Sequence, residues 1–280
     1  MPTYFSAINK AGIKVTTVYP ENSGSKYHVH QGVVLLFETE YGTLQAIVDA
    51  AEITTIRTGA ASGLATRLLA NKGAGQLAII GAGTQGSCHL EAMKIVRDIR
   101  SVKVYDYIPE KAMQFVRRES EKYNFTIEAV DTVEKAVRSA DIICIATPSR
   151  EPVIEGRWLS PGVHINSVGF GGPSCRELDM QVMVQSKIYV DYLETVMHDC
   201  GDIVIPLERG EIEQTSIFGS LGDLLLGEVP GRANENDITL FKSAGVAVQD
   251  LSAVDYIFKK ALKQGLGTAV ELGGYNLLEK

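Results

Sequence analysis

Hydrophobic positions change their spacing along the chain, and the changes divide it. The run Val33-Val34-Leu35-Leu36-Phe37 and the stretch 43–48 flank a polar link, Glu38-Thr39-Glu40-Tyr41-Gly42, which predicts a β-hairpin. Lys14 stands between Ile13 and Val15, so a strand there buries its neighbours on one side and aims the lysine to the other. Residues 49–70 are rich in alanine, free of proline and poor in β-branched residues after Ile56. They predict a helix, with Gly59 as a candidate break. Asn71-Lys72-Gly73-Ala74-Gly75 is the first clear punctuation and a candidate domain boundary.

From Gln76 onwards short apolar runs alternate with helical periods. Residues 76–80, 102–105, 125–130, 141–146, 164–168, 187–192 and 238–242 predict strands. The helix after Gly86 places Cys88, Ala92, Ile95 and Ile99 on one face. A second helix, 109–123, starts with Pro109 at a favoured first position, and a short one covers 133–140. A last helix, 249–265, carries Val254, Ile257, Phe258, Ala261 and Leu262 on one face. Strands alternating with helices predict an α/β fold, a doubly wound parallel sheet with helices on both faces.

The first of these strands runs directly into Gly81-Ala82-Gly83-Thr84-Gln85-Gly86, which opens a helix, and Asp106 ends the next strand. In that setting each glycine has a physical task. One allows a tight turn, one lets backbone approach a pyrophosphate, and one lets helix and strand pack closely. The helix N-terminus offers free N–H groups to the phosphates. Asp106 would accept hydrogen bonds from a ribose diol and repel a 2′-phosphate. Tyr107, Ile108 and Pro109 follow it, with no arginine to offset that repulsion, so the expected cofactor is NAD rather than NADP.

Composition narrows the field further. The chain has 280 residues, 45% hydrophobic and 22% charged, which suits one large domain or two of modest size. The 27 basic and 34 acidic residues leave a net charge of −7, which argues against nucleic acid or anionic lipid as partner. Cys88, Cys144, Cys175 and Cys200 form no C-x-x-C pair and fit a reducing compartment. No signal peptide is visible, and the longest apolar run falls far short of the ~18 residues that cross a bilayer. A cytoplasmic protein without membrane contact is expected. His28 and His30 share one side of an extended segment, but no third ligand has recognisable spacing, so no metal site is expected. Lys14 and Arg57, taken alone, read as solvated cations. As a pair in an imine- or carbonyl-reducing site they would hold a substrate carboxylate and polarise the reacting double bond.

Lys14, Tyr19-Pro20-Glu21-Asn22, Arg57-Thr58-Gly59-Ala60-Ala61-Ser62 and the glycine loop together resemble the ornithine cyclodeaminase/mu-crystallin family. So do Ala146-Thr147-Pro148, Arg176-Glu177-Leu178-Asp179, Gly222-Asp223-Leu224 and Ser243-Ala244-Gly245-Val246-Ala247. The resemblance implies a Rossmann-type doubly wound parallel sheet plus a discontinuous α+β substrate/dimerisation domain, which pairs in a homodimer. Residues 1–58 with 259–280 would form the second of these, and 59–258 the NAD-binding domain. It further implies that Lys14 binds the substrate carboxylate and that Arg57 touches both substrate and cofactor, with Thr58 beside it. Gly81, Gly83, Thr84, Gln85 and Gly86 would hold the pyrophosphate and Asp106 the ribose. Thr147, Val168, Gly169 and Ser243 would line the nicotinamide.

Two departures from the family pattern bear on the reaction. Members usually begin a few dozen residues earlier, in a part that holds a further substrate-binding arginine. Cyclodeaminases carry an aspartate where this chain has Gly171, and a cofactor-binding lysine where it has Cys175. Glycine cannot shuttle a proton. The expected activity is therefore NAD-dependent hydride transfer to a small α-imino or α-keto acid, of the ketimine reductase or alanine dehydrogenase kind. Ornithine cyclodeamination and a non-catalytic binding role like that of mu-crystallin are the alternatives.

Overall fold

Two separate sheets carry the strands of the computed structural model, which describes residues 1–22, 25–169 and 172–273. The first is antiparallel and follows chain order: β1 (Pro2–Phe5), β2 (Lys10–Val18), β3 (His30–Glu38) and β4 (Leu44–Asp49). The predicted hairpin is the β3–β4 pair, with Leu35 opposite Ile47.

The second sheet is parallel throughout. Its strands are β5 (Gln76–Ile80), β6 (Ser101–Tyr105), β7 (Thr126–Ala129), β8 (Ile142–Ile145), β9 (His164–Ser167), β10 (Ser186–Val190), β11 (Ile217–Ser220) and β12 (Ile238–Lys242). Their spatial order is β11-β10-β12-β9-β8-β5-β6-β7. The chain leaves β5 in one direction through β6 and β7, then returns to its other side through β8 and β9. That reversal is a topological switch point, where such sheets open a crevice at the carboxyl ends of their strands. Every residue of β8 and all but the first of β5 are buried, as strands covered on both faces require.

The chain forms two compact units, one of residues 1–57 with the chain from Val246 onward, the other Thr58–Gly245. The first division falls inside α1 (Ala50–Leu69), not in the 71–75 loop. The second falls before α9 (Ala247–Gln264), earlier than the sequence boundary at 258/259. Packing explains the difference: Leu251 and Val254 of α9 are buried with Val34, Leu36, Ala50 and Ile53.

Several expectations are corrected. α1 runs unbroken through Gly59. A Cβ there would come within 2.5 Å of the Cys88 sulfur, so the glycine admits the close approach of α2 (Thr84–Val96). The buried face of α2 is Gly86, His89, Leu90 and Met93; Ile95 is 77% exposed and Ile99 lies beyond the helix. In α9, Leu262 faces solvent. The most consequential correction concerns β2, where Lys14 is buried and Val15 is 52% exposed. Strand β11 and the short helices between residues 180 and 226 went unread in the hydrophobic pattern. Among the described residues no helix is long and apolar enough to cross a membrane, and no cluster of side chains could hold a metal ion.

Candidate active site

The glycine loop leaves β5 at the switch point. Gly81 has φ +104°, a conformation side chains disfavour, and a Cβ there would lie 2.5 Å from the Ala146 carbonyl oxygen. A Cβ on Gly86 would lie 2.3 Å from the Gly81 carbonyl oxygen. Gly83 differs: a Cβ there meets no protein atom within 4 Å. Gly83 is also the N-cap of α2 and has no side chain to satisfy the first-turn N–H groups, which stay available to an anion. The loop thus leaves open space in front of free donors, and this is what a pyrophosphate needs.

Asp106 follows β6 and closes the other side of the loop. Its Oδ2 accepts the Ala82 N–H at 2.8 Å and its Oδ1 the Ile108 N–H at 2.9 Å. Each oxygen keeps a further lone pair for a ribose hydroxyl. His89 holds the loop from below. Its Nδ1 lies 2.7 Å from the Gln85 carbonyl oxygen, which can only accept, so Nδ1 carries the proton. Nε2 then accepts the Ser62 hydroxyl at 2.9 Å. Burial pushes the imidazole down to about 4, and it stays neutral.

Thr147 follows β8, Val168 and Gly169 follow β9, and Ser243 follows β12, so all stand at the carboxyl edge of the same sheet. Two carboxylates that the sequence analysis did not assign to the site organise these loops. Glu177 Oε1 accepts both the N–H and the hydroxyl of Thr147 at 2.8 Å. Its Oε2 accepts the Ser167 hydroxyl at 2.7 Å and the Gly169 N–H at 2.9 Å. Burial pushes the Glu177 carboxyl up. Against this, each oxygen accepts a backbone N–H, from Thr147 and from Gly169, and such bonds favour the carboxylate. Lys242 supplies the balancing charge. Its ammonium donates to Ser167 Oγ at 2.9 Å and to the Gly169 carbonyl at 3.0 Å, and pairs with Asp202 at 2.8 Å. Burial opposes its charge, but the surrounding acidic groups outweigh it and raise its pKa. Asp191 does for Ser243 what Glu177 does for Thr147: its Oδ2 accepts the Ser243 hydroxyl at 2.8 Å and the Gly245 N–H at 2.6 Å. Of the two, Glu177 falls in the motif Arg176-Glu177-Leu178-Asp179, and Asp191 falls in none.

Lys14 and Arg57 meet within the first unit. The Lys14 ammonium lies 2.7 Å from Oδ2 of Asp250, and Arg57 Nε lies 3.1 Å from Oδ1 of the same carboxylate. Arg57 Nη1 also donates to Gln249 Oε1 at 3.1 Å. The three charged side chains are 6%, 9% and 2% exposed, so neither cation is the solvated surface group it resembles in isolation. Burial is the largest influence on Lys14 and lowers its pKa, Asp250 works upward, and the Arg57 charge lowers it further. Thr58, next in α1, is buried. Cys175 is half-buried, and Gly171 lies outside the described residues.

A glycine loop at the switch point of a parallel sheet, tied to an aspartate after the second strand, defines a Rossmann-type α/β protein. The chain belongs to the ornithine cyclodeaminase/mu-crystallin family, whose model matches residues 1–265. Δ1-Pyrroline-2-carboxylate reductase of Bacillus cereus is 36% identical over 272 residues, 97% of this chain and 83% of that one. Alanine dehydrogenase of Archaeoglobus fulgidus is 34% identical over 261 residues, 93% and 80% of the two chains. Among solved structures, Δ1-pyrroline-2-carboxylate reductase of Thermococcus litoralis in complex with NADH and L-proline superposes with a TM-score of 0.91 at 37% identity, covering 96% of this chain and 88% of that one. An archaeal alanine dehydrogenase dimer with bound NAD matches equally well, with a TM-score of 0.91 at 32% identity over 98% and 83% of the chains.

Proposed function

We propose that the protein is an NAD-dependent reductase of small α-imino acids, with cyclic imines such as pyrroline-2-carboxylate as the leading substrates. The observation that carries this reading is the buried set of two cations on one carboxylate. Lys14 and Arg57 against Asp250 leave one net positive charge, which suits a single substrate carboxylate in a partly desolvated place. The relatives at 34–36% identity bear names of that chemistry, reductases of an imino acid and a dehydrogenase of alanine.

NADH, when bound, supplies the hydride. The chain's own residues do the rest. The first-turn N–H groups of α2, with Thr84 and Gln85, hold the pyrophosphate across Gly81, Gly83 and Gly86. Asp106 accepts the ribose hydroxyls. Thr147, Val168, Gly169 and Ser243 line the nicotinamide, and Thr58 stands beside the arginine that serves both ligands. Lys14 and Arg57 orient the carboxylate and polarise the C=N bond, so that positioning supplies most of the rate.

The protein acts as a homodimer in this reading. Val15, Val33 and Ile47 stand on the face of the four-stranded sheet away from Val34 and Leu36, and are 52%, 38% and 56% exposed. An apolar sheet face left open in this way is what a second copy covers.

The test is loss of NADH absorbance with pyrroline-2-carboxylate, its six-membered homologue, and pyruvate with ammonia. Turnover with at least one imine is expected. No turnover across the panel, or release of ammonia from ornithine with only catalytic NAD, would overturn the proposal.

A further inference from the structure

We propose that Asp250 is the positioning residue of the substrate-binding cations: its single carboxylate holds the Lys14 ammonium and the Arg57 guanidinium side by side and sets the charge they present. This rests on the assignment of those two cations to the substrate carboxylate. Three elements distant in sequence converge on it, β2 with Lys14, α1 with Arg57 and α9 with Asp250. Each carboxylate oxygen takes one cation, Oδ2 at 2.7 Å and Oδ1 at 3.1 Å. Asp250 sits in the first turn of α9, near the helix's free N–H ends. Gln249, one residue earlier, fixes the Nη1 side of the same guanidinium. Neither anchor uses Nη2.

Without the carboxylate, two cations would face each other in a buried place, and the one that can lose its proton is Lys14. The groups acting on the ammonium are Asp250 from α9, Arg57 and the Thr54 hydroxyl from α1, and His30 from β3. The Met1 amine, one residue before β1, donates to the Lys14 carbonyl. Asp250 is the one acid among them. It therefore has two separable effects, one on where the cations point and one on whether Lys14 is charged.

Two variants separate the effects. In Asp250→Asn the counter-charge is lost, and competitive acetylation of Lys14 across pH, read by peptide mass, should show its pKa lowered by about one unit or more. The KM for the imine should rise roughly ten- to a hundredfold, and the alkaline limb of kcat/KM should move down with Lys14. In Asp250→Glu the charge stays but the arm is one methylene longer. The KM should rise about tenfold while the Lys14 pKa stays near its original value. If the two variants behave alike in both readouts, or the Lys14 pKa does not move in Asp250→Asn, Asp250 is merely structural. Should Asp250→Asn fail to fold, an unaltered KM in Asp250→Glu overturns the proposal by itself. If the unmodified protein reduces no imine, the functional reading fails, and acetylation still decides whether Asp250 sets the charge of Lys14.

Discussion

Asp106 accepts the Ala82 N–H at 2.8 Å, so the acid that would read the ribose is fastened to the loop that would hold the phosphates. Asp106→Ser loses both that tie and the charge. A charge-assisted hydrogen bond is worth about 1.5–3 kcal/mol, so NADH affinity should fall roughly ten- to a hundredfold while NADPH gains relative to it. Fluorescence titration with both cofactors checks this. Equal binding of NADH and NADPH by the unmodified protein would remove the basis for the prediction.

The three loop glycines should fail in different ways. A Cβ at Gly81 or Gly86 collides with backbone carbonyls at 2.5 and 2.3 Å, so either alanine variant should be clearly less stable. Gly83→Ala meets no protein atom and should keep its melting temperature, yet lose most of its NADH binding. Calorimetric melting paired with titration distinguishes the cases. Normal NADH affinity in Gly83→Ala would show that the phosphates lie elsewhere.

Glu177→Gln turns a four-fold acceptor into a group with one acceptor oxygen and leaves Lys242 short of a counter-charge. Removing one partner of a buried ion pair costs roughly 3–5 kcal/mol. Urea unfolding should show a loss of that order, with weaker NADH binding in what remains folded, because Thr147 and Gly169 lose their common anchor. A loss below about 1 kcal/mol would contradict it.

His89 makes stability fall in acid. Its pKa drops from 6.5 to about 4 on folding, so between those values the unfolded chain binds a proton that the native protein does not. Above 6.5 the group contributes no pH dependence. As pH falls through the window, stability declines by roughly 1.4 kcal/mol per unit from this one site. His164, pushed down to about 3, adds a similar slope. His89→Gln should be less stable near neutrality but flatter in its pH dependence by about one proton. An unchanged slope in urea unfolding across acidic pH would show that His89 is already protonated in the native state.

The open sheet face predicts its own disruption. Ile47→Lys places a charge on that face and should convert a dimer into a monomer in sedimentation equilibrium, with NADH binding kept. A monomeric unmodified protein would end the argument.

The nucleotide half was legible because its parts are near in sequence. The glycines, the strand before them and Asp106 fall within one βαβ unit, and local spacing carries their meaning. Lys14 shows the opposite. Its alternation with Ile13 and Val15 was read with the correct period and the wrong phase, which in a strand exchanges the two faces. A buried lysine looks unfavourable until its acid is known, and that acid lies beyond the whole parallel sheet. Glu177 and Asp191 were hidden for a related reason. Each accepts from backbone N–H groups and hydroxyls of loops that only the finished sheet brings together. Ile95 was misassigned because four apolar residues at helical spacing describe a stripe without saying what covers it.

The discontinuous first unit also sets a timetable. Asp250 follows Arg57 by 193 residues, so at synthesis rates of about 5–20 residues per second it emerges ~10–40 s later. The whole parallel sheet leaves the ribosome in that interval and can fold as a unit. Until then Lys14 and Arg57 are two like charges on a half-made unit with no acid between them, and α9 is not there to cover Val34 and Leu36. The nascent chain thus acquires its nucleotide fold first and its cation pair last. A chain halted after β12 but short of residue 250 would hold every strand of the parallel sheet, and Lys14 and Arg57 without their shared acid.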